Sequence, residues 1–334
     1  MRRVAQGAVG QNEGEDRRRN GGSRDTLQKL TTTAQRHAHT LTLFRKTAGW
    51  QDTRLLHDTW TARRLGHRSV VYMPHGSAPE RLRNIRAEGA EASITDMNYD
   101  EAVRYANEKA RTEGWVMVQD TAWEGYTDIP TYIMQGYTTM GHEIQEQLTE
   151  QGERMPTHLF LQAGVGSMSG AMAGFFASAF GEDRPITAIV EPDKADCLFQ
   201  TAKADDGRLH FVTGALDTIM AGLACGEPCT IGWNVLLRCA DAFFSCPDYV
   251  AADGMRILAA PARGDTPIIS GESGAATTGC LANLMLRDEL SPLRRALRLD
   301  EHSRVLLIST EGDTDRQNYR DVVWGGRYNR FDTI

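Results

Sequence analysis

Lysine is scarce in this chain: Lys29, Lys46, Lys109, Lys194 and Lys203 are all there are among 334 residues, although lysine and arginine together number 37. The formal net charge is -7, so despite locally basic opening residues there is no general basic footprint, and nucleic acid is excluded as the default partner. No run of about 18 apolar residues occurs, which excludes a conventional membrane-spanning helix and a membrane partner. The opening residues, Met1 to Asn20, lack the apolar core of a secretory signal, and the expectation is a cytoplasmic protein. The six cysteines, Cys197, Cys225, Cys229, Cys239, Cys246 and Cys280, contain no CxxC pair. Buried thiols are expected of them, not a disulfide framework. His142 and Glu143 have no second histidine four residues on, and Asp313 and Asp315 lack the rest of a calcium loop, so no metal site is expected.

What the chain does have is concentrated in Thr157 to Phe180. An apolar run from Leu159 to Ala163 reads as a buried parallel strand. It stops at Gly164, Val165, Gly166, Ser167, Met168, Ser169 and Gly170, and a helix of small residues follows. Strand, glycine loop and helix start in that order make a phosphate cradle: glycines let main-chain N–H groups approach the anion, and the helix adds its unpaired donors and positive dipole end. The spacing is one residue longer than the dinucleotide fingerprint and carries no GK[ST], so a nucleotide is disfavoured.

Residues 1 to 58 lack a sustained period and are expected to be poorly ordered, apart from a short apolar patch at Leu41, Leu43 and Phe44. From Trp60 the pattern alternates. A helix closing at Gly66 precedes a strand at Ser69 to Met73, a helix at Pro79 to Ala87 and a strand at Ala92 to Thr95. Asn98 with Glu101 opens a helix through Ala110, and a strand at Val116 to Gln119 delivers Asp120. A long helix from Tyr132 leads into the cradle, and Ile186 to Val190 is a strand ending at Glu191. Helical stretches follow at Thr218 to Ala224, Trp233 to Phe244 and Tyr249 to Ala259. Ser270 to Ala275 opens another, and the strand Val305 to Ile308 discharges into Ser309 and Thr310. This alternation implies an α/β fold with a parallel sheet and flanking helices. Asp120, Gly164 and Glu191 then fall at strand carboxyl ends, where such sheets bind ligands. A smaller α/β domain over 59 to 145 and a larger one over 146 to 334 are expected.

Three glycine-punctuated loops, at 164 to 170, 271 to 274 and 309 to 315, carry hydroxyls and carboxylates, which fits a polar phosphorylated ligand. Residue types alone leave Asp120 open between a catalytic carboxylate and a turn residue, and Ser309 and Thr310 between ligand contacts and a helix N-cap.

Longer segments carry a resemblance. Val71 to Pro74, Thr95 to Asp100, Val118 to Tyr126, Leu161 to Gly166, Val190 to Cys197, Met220 to Pro228, Ser270 to Ala275 and Ser309 to Asp315 resemble diaminopropionate ammonia-lyase, over about Trp60 to Trp324. The resemblance implies a fold-type II, tryptophan-synthase-like enzyme, usually a homodimer. It uses pyridoxal 5'-phosphate to eliminate ammonia from the amino acid 2,3-diaminopropionate and yield pyruvate, a reaction of amino acid catabolism. It places the cofactor phosphate on Gly164 to Gly170, the pyridine nitrogen at Ser309 or Thr310, Glu191 and Glu272 in the cofactor site, and Asp120 where it acts on substrate. The family's Ala-Phe-Lys motif, which supplies the Schiff-base lysine, and its Asp-Gly-Asn-His-Gly loop have no match, and Trp50 to Asp58 stands where that loop belongs. Two other readings stay open on this ground: a non-catalytic protein with the same fold, and a serine or threonine dehydratase-like lyase.

Overall fold

The computed structural model describes residues 3–6 and 58–330. The expectations for residues 1 to 58 therefore lie outside the described residues, apart from 3–6 and 58. In chain order the elements are β1 (Arg3–Gln6), β2 (Val70–Met73), α1 (Pro79–Ala87), β3 (Glu91–Ile94), α2 (Tyr99–Glu113), α3 (Asp128–Glu150), β4 (His158–Gln162), α4 (Ser167–Phe180) and β5 (Ile186–Pro192). They continue with α5 (Cys197–Ala204), α6 (Thr230–Cys239), β6 (Ala242–Cys246), α7 (Asp248–Ala259), α8 (Glu272–Leu286), α9 (Ser291–Ala296), β7 (Val305–Leu307) and α10 (Arg316–Val323). A helical segment at 58–64 precedes β2.

The strands form a five-stranded parallel sheet in the order β1-β6-β5-β4-β7 and a separate parallel pair, β2-β3. Side chains alternate along β4, β5 and β6, and both faces of these strands are buried. Leu159, Leu161, Ile189 and Phe243 pack with Met168, Met172 and Phe176 of α4 on one face. Phe160, Ala188, Val190 and Phe244 pack with Leu281 and Met285 of α8 on the other. Near-continuous apolar strands are what a sheet covered on both faces requires. Helices α7 and α8 come together backbone to backbone: a Cβ on Gly279 would lie 1.7 Å from the Val250 carbonyl oxygen, and one on Gly254 2.1 Å from that of Ala275.

Several expected elements hold. Pro79 opens α1, and Asn98 with Glu101 forms both halves of a capping box on α2, which ends at Gly114 in a left-handed conformation. Three expectations are corrected. Val116 to Gln119 is not a strand: Val116 is 76% exposed, and the Tyr126 hydroxyl, not a neighbouring strand, donates to the Met117 and Gln119 carbonyls and accepts from the Gln119 N–H. The expected helix over Trp233 to Phe244 breaks at Ala240, whose extended backbone leads into β6. An all-apolar run in a doubly covered sheet has no period to distinguish it from a buried helix. Thr218 to Ala224 forms only a single 3-10 turn at Ala221–Leu223.

Tyr99 of α2 packs against the apolar cluster of the large sheet, and polar contacts also join the elements around β2-β3 to it. Arg81 pairs with Glu311 at 3.2 Å with both side chains buried, and Asp100 accepts from the Gly226 N–H at 2.9 Å. Burial is the main cause that holds the Asp100 carboxyl up at about 6, from an ordinary 3.8. The folded chain thus keeps a proton that the unfolded chain has lost. This contribution is fully present below the ordinary value and is given up as pH rises through about 6. Asp100→Asn removes that titration. Its stability relative to the parent is expected to rise between acid and neutral pH by up to about 2 kcal/mol, allowing for solvent screening. Urea unfolding of both proteins at pH values on either side of this window checks it, and a constant difference would refute it.

Candidate active site

β4 ends at Gln162, and the chain turns through Gly164 and Gly166 into α4. Gly166 is the N-cap residue with φ +94°, a left-handed conformation that glycine supplies without strain. A Cβ there would lie 3.1 Å and 3.2 Å from the two methyls of Leu198, and one on Gly170 would lie 3.0 Å from the Gly232 backbone. No side chain caps α4, so its first N–H groups have no partner within a helix, and Ser167, Met168 and Ser169, which carry them, line a cavity with Ala163 to Gly166. The Ser169 hydroxyl and the Gln162 Oε1 atom are buried with no hydrogen-bond partner, and both residues line that same cavity. A buried polar atom left unpaired costs about 1–3 kcal/mol. An uncapped helix start, a glycine cap and orphaned buried oxygens in one cavity fit a phosphate monoester.

Asp120 lines the same cavity, after a segment held by Tyr126. Its side chain accepts a hydrogen bond from the Tyr137 phenol at 3.0 Å. Its main-chain carbonyl accepts from the Ser167 hydroxyl at 2.7 Å and from the Cys229 thiol at 3.5 Å. The first residue of the cradle helix thus holds the loop that carries the carboxylate. Cys229 also accepts from the Ala122 N–H at 3.2 Å, which ties the start of α6 to the same loop.

The structure brings Asp120, Gly164, Val165, Gly166, Ser167, Met168, Ser169 and Thr310 to one cavity. Thr310 accepts from the Gln162 amide at 3.3 Å. Gly170 lies one turn into α4. Ser309 sits beside Thr310, with its hydroxyl 2.7 Å from that of Ser270. Glu191 is outside the cavity lining: fully buried, it accepts from the Leu198 and Phe199 N–H groups at 2.9 and 2.7 Å. Burial pushes its carboxyl well above the ordinary range despite those two donors. Glu272, raised likewise by burial, lines a second cavity of about 220 Å³ with Arg81, Lys194, Asp217, Asp248 and Asp315. Among the described residues no lysine lines the cradle cavity. Lys194 donates to Asp248 at 3.0 Å, Lys109 and Lys203 lie over the Tyr105 and Phe199 rings, and Lys29 and Lys46 lie outside the described residues.

Tyr137 and Gln162 were not among the sequence candidates. Tyr137 recurs with Met134, Met140 and Ile144 on the buried face of α3, and a phenol on such a face needs a hydrogen-bond partner. That need was the available signal.

A glycine loop and helix start that fit a phosphate, at the carboxyl end of a doubly covered parallel sheet and with a carboxylate lining the same cavity, point to a cofactor-dependent α/β enzyme class. The family described as pyridoxal-phosphate dependent enzyme matches residues 59–310. The chain is 54% identical over 269 residues to the diaminopropionate ammonia-lyase of Salmonella typhimurium, across 80% of this chain and 67% of that one. A crystal structure of the Escherichia coli diaminopropionate ammonia lyase, in complex with an aminoacrylate-PLP azomethine reaction intermediate, matches with a TM-score of 0.76 at 49% identity, across 81% of this chain and 68% of that one. Threonine deaminase isoform 2 of Solanum lycopersicum, at 17% identity and a TM-score of 0.62 over 79% of this chain and 68% of that one, shares the fold alone. The chain belongs to the diaminopropionate ammonia-lyase family of pyridoxal-phosphate dependent enzymes.

Proposed function

We propose that this chain is a pyridoxal 5'-phosphate-dependent ammonia-lyase that converts 2,3-diaminopropionate to pyruvate and ammonia. The observation that carries the reading is that Asp120 lines the same cavity as Gly164 to Ser169 of the cradle. The cradle N–H groups and the Ser169 hydroxyl hold the phosphate, and Ser309 or Thr310 meets the pyridine nitrogen as a neutral hydroxyl. Glu191 acts from behind, fixing the start of α5, whose Leu198 side chain is the nearest neighbour that a Cβ on Gly166 would meet. Glu272 opens α8 beside the 309–311 loop. When bound, the cofactor supplies an electron sink that acidifies the substrate's Cα–H bond.

Diaminopropionate differs from serine in carrying an ammonium on Cβ, and a carboxylate at the cavity wall complements that charge. The β-ammonium departs as neutral ammonia when its Cβ–N bond breaks and needs no further proton; Asp120 complements its charge, and its carboxylate is the base that takes the proton released from Cα. A cytoplasmic homodimer with a division near residues 145/146 completes the proposal. The two separate sheets support two α/β units, although helix α3, Asp128–Glu150, runs unbroken through residues 145 and 146.

The test has two parts. Full-length protein with added pyridoxal phosphate is scanned in the visible range, reduced with borohydride and peptide-mapped, and ammonia release from 2,3-diaminopropionate and from serine is compared. A cofactor fixed on one lysine and preference for the diamine are expected. Scattered labelling without ammonia release would sink the proposal. Asp120→Asn is expected to lower kcat at least about 100-fold, as loss of a general acid–base group does, with cofactor affinity unchanged by fluorescence titration.

A further inference from the structure

We infer that Tyr137 is a positioning residue for the reaction, acting through Asp120; the inference rests on the reading of Asp120 given above. A carboxylate on a loop can rotate about its Cβ–Cγ bond, and either oxygen can face the cavity. The Tyr137 phenol removes that freedom by donating to Oδ2 at 3.0 Å. Its own position is fixed: Tyr137 is 3% exposed, in the middle of the 23-residue helix α3, and shares the apolar cluster of Met134, Met140, Met168 and Met172. Helix α3 is seated closely against α4, since a Cβ on Gly141 would lie 2.4 Å from the Phe175 ring. The helix that begins at the cradle therefore sets the depth of the helix that holds the phenol.

The main chain of Asp120 is fixed independently. Ser167, the first residue of α4, donates to its carbonyl at 2.7 Å. The same rigid helix thus fixes the phosphate cradle, the Asp120 backbone and, by way of α3, the Asp120 carboxylate. The distance between the cofactor's anchor and the proton-carrying oxygen is then set by packed helices and not by the loop. A misplacement of about 1 Å at a reacting group can cost about 100-fold in rate, so one phenol oxygen is sufficient to matter. Tyr137 lines the cavity beside Asp120, but its hydroxyl is committed to the carboxylate, which makes it a second residue behind the reacting group.

The test is a double-mutant cycle on the full chain loaded with pyridoxal phosphate, using Y137F, D120N and the double variant. Y137F is expected to lower kcat for ammonia release about 10- to 100-fold, with KM and cofactor affinity within about twofold. In the D120N background the same change is expected to cost nothing further, because effects of residues acting as a unit are not additive. Equal losses in both backgrounds, or Y137F within twofold of the parent, would overturn the inference while leaving Asp120 in place. D120N at parental turnover would remove the reading of Asp120 and the inference with it.

A second readout does not depend on turnover. Modification of Asp120 by a water-soluble carbodiimide, followed by peptide mapping, is expected to be at least about threefold faster in Y137F, since a carboxylate oxygen released from its donor adds more readily to the carbodiimide. Equal labelling rates overturn the positioning contact, whatever the chain's activity.

Discussion

Gly166→Asp is expected to weaken pyridoxal phosphate binding at least about 100-fold, equivalent to about 2.7 kcal/mol. Two effects add. Gly166 has φ +94°, a conformation that costs a residue with a Cβ about 1–2 kcal/mol, and the new Cβ would press on both methyls of Leu198 and on Leu236, at 3.1, 3.2 and 3.4 Å. The carboxylate then stands at the helix start that a phosphate dianion would occupy, repelling it through a partly desolvated cavity. Fluorescence titration with the cofactor reads the loss. Gly166→Ala, carrying the strain without the charge, is expected to keep most of the affinity while lowering the midpoint of urea unfolding. Unchanged cofactor affinity in the aspartate variant would remove the glycine loop as the phosphate's seat.

Gly279→Val is expected to have the largest effect on stability. The site has no room: a Cβ would lie 1.7 Å from the Val250 carbonyl oxygen and 3.0 Å from the Gly254 nitrogen, so it meets main chain and not the flexible end of a side chain. Helices α7 and α8 must separate, opening the apolar cluster that includes Val250, Cys280 and Leu281. Losses above about 4 kcal/mol, at the extreme of single substitutions, are the expected scale. The damage reaches the site as well. The N-terminus of α8 is held by Glu311, which accepts from the Ser273 and Gly274 N–H groups at 2.7 and 3.2 Å, next to Ser309 and Thr310. Urea unfolding monitored by circular dichroism measures it, and a midpoint matching the parent's would show that the helices can part without cost.

Whether a feature of the fold or the site is legible in the amino-acid sequence depends on whether the residues that make it are neighbours in the chain. The cradle is legible because glycine spacing, an apolar strand and a small-residue helix are consecutive. So are α1, opened by Pro79, and α2, opened by the Asn98–Glu101 box, because caps are written within four residues. β6 is not, because Ala242 to Cys246 is buried on both faces and an unbroken apolar run reads equally as helix. Nor is the irregular course of Val116 to Gln119, whose β-branched residues argue for a strand but whose main-chain partner is the Tyr126 hydroxyl. Glu191 resembles a ligand contact because it ends a strand on the ligand side; its oxygens turn instead to the start of α5. Tyr137 is the hardest to find, lying 17 residues from Asp120 on another element, where only the general need of a buried phenol for a partner points to it.

The cradle's reliance on main-chain donors has a practical consequence. N–H groups at a helix start recognise a phosphate's charge and oxygens but not what is esterified to it, so the sugar phosphates and inorganic phosphate of a cell extract are expected to compete for the same seat. Buffer composition then governs occupancy. Protein prepared in phosphate buffer is expected to load less pyridoxal phosphate than protein in a phosphate-free, amine-free buffer, and dialysis before adding cofactor is expected to restore the loading.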